Sequence, residues 1–255
     1  MKRTAVVTGS NRGIGRAIAM RLAAESANVV LCARDSALLE ATAGEIRAAG
    51  GKVHCVALDL RLPDSARILV QAAVDVFGGI DIVVNNAGAT KRGDFELLTD
   101  DDWADGYALK LFGAVRLTRA AWPYLRERKG SVVNIAGSGG RTPGPQFTIG
   151  GSVNAALLSL TKALADLGLR VGVQVNAVNP GPVRTARFEA RLARTAAEHG
   201  VDRDQAMEIF LREERISKVG EPEDIAGLVA FLLSPEGRLL HGSIIDADGG
   251  ATKTI

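Results

Sequence analysis

"TAVVTGSNRGIGRAIA", residues 4–19, decides the fold. A short β-branched run stops at Gly9, and an Ala/Ile-rich amphipathic run begins beyond Gly13 and Gly15, so a strand passes through a tight glycine turn into a helix. The spacing G-x-x-x-G-x-G places residues tolerant of positive φ and close backbone approach where the helix amides emerge. Such a junction is suited to a pyrophosphate held at the helix N-terminus. The loop residues Gly9, Ser10, Asn11, Arg12, Gly13, Ile14 and Gly15 are therefore the first cofactor-binding candidates.

The same alternation continues downstream: "NVVLCA", "ALLEATAGEIRAA", "KVHCVALD", "SARILVQAAVDVF" and "DIVVNNAG" follow in turn. Strands apolar on both faces suit a parallel sheet covered by helices, and the rhythm predicts an α/β, doubly wound parallel sheet of about seven strands. The second half predicts a helix over 101–126, a strand in "GSVVNIAG" and a helix over 152–167. Strands in "VGVQVNAVNPG" and "GSIIDADGG" complete the sheet. Residues 183–217 read as a polar, helix-rich insertion placed to act as a lid or to form a solvated helix pair, within one domain spanning 1–255.

Composition narrows the function classes. Apolar residues make up 47% and charged residues 24%, with a net charge of +2 and no dense basic block, so neither nucleic acid nor an anionic membrane is an expected partner. No apolar run approaches the roughly 18 residues a membrane span needs, and "MKRTAVVTGS" reads as a first strand, which together predict a cytoplasmic protein. Cys32 and Cys55 lie in strand-like runs and read as buried thiols. His54, His199 and His241 lack ligand spacing, so no metal is expected.

Nearly the whole chain resembles the short-chain dehydrogenase/reductase family, in particular its compact members that include 3-oxoacyl-carrier-protein reductases. The resemblance is carried by "TGSNRGIG", Asp59 in "ALDL", "NNAG" at 85–88, Trp103, the run from Asn179 to Thr185, "GEPEDIAGLVAFLLSP" and "GSIIDADGG". It implies a Rossmann fold, a nicotinamide cofactor, a small-molecule substrate and a homo-oligomer, tetramer or dimer. It also implies that Asp59 and Leu60 lie at the adenine and that Asn85, Asn86, Ala87 and Gly88 line the cofactor's middle. Pro180, Gly181, Val183 and Thr185 would border the nicotinamide. Ser26 replaces a glycine frequent in the family, a change expected to affect only the turn.

The dinucleotide follows from charge. An NAD site needs a carboxylate at the end of the second strand, where this chain has Ala33 followed by Arg34. Arg34, together with Arg12, favours a 2′-phosphate, so NADP is expected over NAD; Asp35 is left as either a substitute acid or a partner for Arg34.

The family's catalytic groups are a Tyr, a Lys four residues later, a Ser thirteen residues before the Tyr, and an Asn in the helix after the Trp. In register with "NAALLSLTKALA", this chain has Gly150 for the Tyr and Asn154 for the Lys. Gly137 stands for the Ser, beside Ser138, and Lys110 for the Asn. Three functions remain open. One is an oxidoreductase with relocated chemistry, in which Lys110 is the acid/base candidate with Ser138, Asn154 and Tyr107 as companions. The second is a cofactor-binding protein without turnover, and the third is non-redox chemistry on the same scaffold. Two glycines in place of side chains predict a widened pocket, unless Phe147 or Gln146 fills it.

Overall fold

The computed structural model describes residues 2–253. Seven strands form one parallel sheet: β1 (Thr4–Thr8), β2 (Asn28–Ala33), β3 (Val53–Ala57), β4 (Ile82–Asn85), β5 (Ser131–Ile135), β6 (Gln174–Pro180) and β7 (Ile244–Ala247). Their spatial order is β3-β2-β1-β4-β5-β6-β7, the doubly wound arrangement expected from the sequence. The order reverses between β1 and β4, and it is beyond the carboxyl ends of strands at such a switch point that open α/β sheets bind ligands.

The strand side chains alternate between two cores. Ala5 and Val7 of β1 face α1 (Gly13–Ala24), α2 (Ser36–Ala48) and α9 (Pro222–Leu232), packing with Ile18, Leu22, Leu39, Ile46 and Val229. Val6 faces the opposite layer, with Leu69 of α3 (Ser65–Phe77) and Leu117 and Leu125 of α5 (Gly113–Arg128). Because β1 is paired on both sides, Val6 lying opposite Val30 and Val83, each of its faces must be apolar.

Two helices differ from expectation, and both differences bear on the cleft. The helix expected over 101–126 is broken into α4 (Asp100–Tyr107), a π-helical turn Ala108–Phe112, and α5. The helix expected from 152 begins four residues earlier, as α6 (Thr148–Leu169). The polar insertion forms α7 (Ala186–His199) and α8 (Arg203–Glu214), whose apolar faces meet through Phe188 and Phe210, edge to face at 5.2 Å. Ser26 adopts a left-handed φ of 69°, as a turn built for glycine requires. Cys32 is buried, but Cys55 is only half-buried, because β3 is the edge strand and leaves its thiol beside the end of the sheet. Among the described residues no helix is long and apolar enough to cross a membrane, and no group of three His, Cys, Asp or Glu side chains is placed to hold a metal ion.

Candidate active site and cofactor cleft

The glycine loop is fixed by its neighbours. Gly9 and Gly13 take positive φ values of 64° and 55°. A Cβ on Gly15 would strike the Gly9 carbonyl, so only glycine lets α1 start this close to β1. The buried Ser10 hydroxyl accepts from the Cys32 amide at 3.0 Å, which ties the loop to β2 rather than presenting a hydroxyl to a ligand. Arg12, extended and exposed, leads into α1.

Thr8, which the sequence argument did not single out, joins this loop to "NNAG". Its hydroxyl accepts from the Asn86 and Ala87 amides, both at 2.9 Å, while the Asn86 side chain donates back to the Thr8 and Gly9 carbonyls. A Thr closing a β-strand carries no distinctive sequence signal.

At the outer end, Asp35 caps α2 by accepting from the Leu38 amide at 3.0 Å, so its carboxylate serves the helix. Arg34 is 68% exposed and lies 3.7 Å from Asp59, whose carboxylate also takes Arg61 at 3.3 Å. Leu60 turns its side chain into the core. On the far wall Thr185 caps α7 by accepting from the Phe188 amide, and its methyl approaches Gly13, bringing the segment after β6 against the glycine loop.

At the positions where the register leads one to expect the family's Tyr and Ser, neighbouring side chains close in. A Cβ on Gly150 would fall within the Phe147 ring, and one on Gly139 would lie 2.9 Å from the same ring. Phe147 therefore fills the space that a side chain at 150 would need. The expected widening of the pocket is overturned: α6 begins early enough to fold Phe147 back over the glycine. At the second pair, Gly137 has a φ of 150°, and a Cβ there would lie 2.9 Å from the Asn154 amide nitrogen. The exchanges at 137 and 154 thus fit each other, since a serine at 137 would be strained and crowded by Asn154. Asn154 is buried, and its Oδ1 finds no partner within the protein. The Gly137 amide is held at 3.2 Å by the Asn179 oxygen, and Asn179 donates to Asp246 at 2.8 Å; both residues lie in runs that carry the resemblance, but this anchoring role was not legible in the sequence.

Lys110 sits in the π-helical turn, flanked by two glycines that admit close neighbours. Gly106 lies against Ile149 and Gly113 against Leu60. The turn carries one residue more than an α-helix would, a feature frequent at functional sites, and it carries Lys110 to the carboxyl edge of the sheet. There Nζ donates to the Ala136 carbonyl, just past β5, at 2.6 Å, and the side-chain Cδ lies 2.8 Å from a Cβ built on Gly88. Burial, with Arg187 adding repulsion, pushes the Lys110 amine down from 10.5 to about 7.

Of the other proposed companions, Tyr107 directly precedes the turn and Ser138 lies two residues beyond the Ala136 carbonyl that Lys110 meets. Tyr107 stacks on Trp103, centroids 6.4 Å apart. Ser138 opens a short 3₁₀ turn, where its carbonyl accepts from the Arg141 and Thr142 amides. Arg187, unforeseen in the sequence because α7 could not be placed, donates to the Gly88 carbonyl at 2.9 Å.

The profile of the family described as enoyl-(acyl carrier protein) reductase matches residues 9–252. An uncharacterized oxidoreductase of Mycobacterium tuberculosis (strain CDC 1551) is 38% identical over 252 residues, covering 98% of this chain and 92% of the relative. L-Sorbose reductase from Gluconobacter frateurii, solved with NADPH and L-sorbose, has a TM-score of 0.95 at 32% identity and covers 100% of this chain and 98% of its own. The apo structure of a short chain oxidoreductase from Pseudomonas aeruginosa PAO1 containing an atypical catalytic center has a TM-score of 0.92 at 28% identity, over 99% and 98% of the two chains. With the profile spanning almost the whole sequence and the sheet order in agreement, the chain belongs to the short-chain dehydrogenase/reductase family of oxidoreductases.

Proposed function

We propose that this protein is an NADP(H)-dependent oxidoreductase of a small carbonyl or alcohol in which Lys110 moves the proton. The observation that carries this is the Lys110 amine, held at the carboxyl edge of the sheet beside Gly88 and brought to about 7, where it exchanges a proton at neutral pH. The residues present fit the cofactor. The loop from Gly9 to Gly15 closes on Asn86, Ala87 and Thr185 without room for side chains, which leaves backbone amides at the N-terminus of α1 to face a pyrophosphate, and Asn154 keeps a buried, unpartnered oxygen at the position of the family's lysine. When bound, the nicotinamide supplies or accepts the hydride.

In the reductive direction the Lys110 ammonium donates to the substrate oxygen as it becomes an alkoxide, and the neutral amine is left donating to the Ala136 carbonyl. In the oxidative direction the neutral amine takes the hydroxyl proton. Phe147 replaces the phenol with an apolar wall, and α7 covers the cleft by way of Arg187. A homo-oligomer would cover exposed apolar side chains such as Phe112, Leu169, Phe231 and Leu239. The apolar wall is also the one observation favouring binding without turnover.

Adding NADPH and a panel of carbonyl compounds separates the two when fluorescence and absorbance are followed together. Binding with oxidation is the expected outcome, and binding alone would support the other reading. Preference is tested at Arg34: with a guanidinium on a 2′-phosphate, NADPH binds at least about tenfold tighter than NADH, and Arg34→Glu removes that preference. Equal affinity of both dinucleotides for the unaltered protein would contradict the assignment.

A further inference from the structure

Three cations lie at Gly88 and over the Phe147 ring with no carboxylate of their own. Lys110 packs against its Cα side, Arg187 donates to its carbonyl at 2.9 Å, and Arg92, four residues on, lies over the Phe147 ring at 3.9 Å. Among the described residues none of the three enters an ion pair. The arginines behind them on α7 are matched: Arg191 pairs with Glu214, and Arg194 with Glu198 at 3.6 Å. Like charges gathered along one cleft disfavour one another, and an arriving anion relieves them together.

We propose that Arg92 and Arg187 bind a carboxylate carried by the substrate, beside the oxygen that Lys110 protonates, so that the substrate is an oxo acid or the matching hydroxy acid. This inference rests on the oxidoreductase reading of the same site. Two guanidinium forks match a planar carboxylate, and the slot narrowed by Phe147 suits a compact group. Arg92 is exposed on a loop and lies over the Phe147 ring, so replacing it leaves the fold intact.

The test pairs oxo acids with their methyl esters: 2-oxobutanoate, 3-oxobutanoate and 4-oxopentanoate, assayed with NADPH. For at least one pair the acid exceeds the ester in kcat/KM by about 10- to 100-fold, through KM. Arg92→Gln brings that ratio toward one, Arg92→Lys keeps part of it, and the Kd for NADPH is unchanged. Acid and ester turned over equally in every pair, or NADPH affinity falling tenfold in Arg92→Gln, would overturn the proposal; the second result would assign these cations to the cofactor's phosphates. Dihydroxyacetone phosphate outperforming the acids would likewise overturn the carboxylate. Calorimetric titration of the protein with NADP⁺ bound keeps the two readings apart. Acids binding where esters do not, with no turnover of either, upholds the anion site and contradicts the oxidoreductase reading.

Discussion

Lys110→Met lowers NADPH-driven turnover by about 10²- to 10⁴-fold, the contribution of a positioned general acid, while NADPH still binds. The same substitution makes the protein more stable, because it removes an ionisable group whose charged form is disfavoured in the cleft. Between about 7 and 10.5 the unfolded chain holds a proton on Lys110 that the folded chain has lost, so stability of the unaltered protein rises with pH across that window. The gain in the Met variant is therefore largest below pH 7 and shrinks toward pH 10. Activity and melting curves at pH 6 and pH 9 check both halves. A lysine that merely reached solvent would move neither, whereas a group whose function is bought with stability moves both in opposite directions.

The second large effect concerns the ring in the phenol's place. Gly150→Ala puts a methyl into the Phe147 ring and destabilises the protein by about 1–3 kcal/mol, the cost of overpacking. Phe147→Ala alone leaves a cavity and costs about 2–4 kcal/mol. The double variant is better than the sum by about 0.5–3 kcal/mol, because each change removes what the other obstructs. Chemical denaturation of the four proteins closes this cycle, and additive losses would show that Phe147 does not pack on Gly150. Phe147→Ala also frees the space that the sequence alone predicted to be open, so larger carbonyl compounds become substrates of that variant first.

The sheet was legible because its signals are local. "TAVVTGSNRGIG" announces strand, turn and helix in sixteen residues once the helix run is added, and apolar runs such as "DIVV" mark strands with both faces covered. The expectation that Gly150 and Asn154 stand in place of the family's Tyr and Lys was equally plain from spacing. What replaced them was not, because it depends on approach between segments. Phe147 and Gly150 are neighbours in sequence, yet whether that ring folds back or points outward depends on where α6 begins, and helix ends are weakly encoded here by a Phe in the capping position and no side-chain cap. The π-helical turn that aims Lys110 is likewise invisible in a periodicity that fits one unbroken helix over 101–126. Arg187 and Arg92 carry no motif at all; Arg187 gains its meaning by reaching Gly88, 99 residues away along the chain, and Arg92 by lying over the Phe147 ring.

Matched replacements also argue against simple decay. Gly137 with Asn154, and Gly150 with Phe147, each form a packed pair in which the family's side chain no longer fits. A site drifting without function would leave gaps or unsatisfied clashes, since large-to-small changes in a packed interior are costly unless neighbours close in.

The pH dependence of kcat/KM for NADPH oxidation, at saturating cofactor and with a substrate of neutral charge, tests most directly whether an amine has taken over the work of a phenol. The protonated Lys110 must donate, so the rate is constant in acid and falls tenfold per pH unit above a single break near 7. A profile that stays level to pH 9 and breaks only near 10, as an ordinary lysine or tyrosine would give, contradicts the assignment of Lys110.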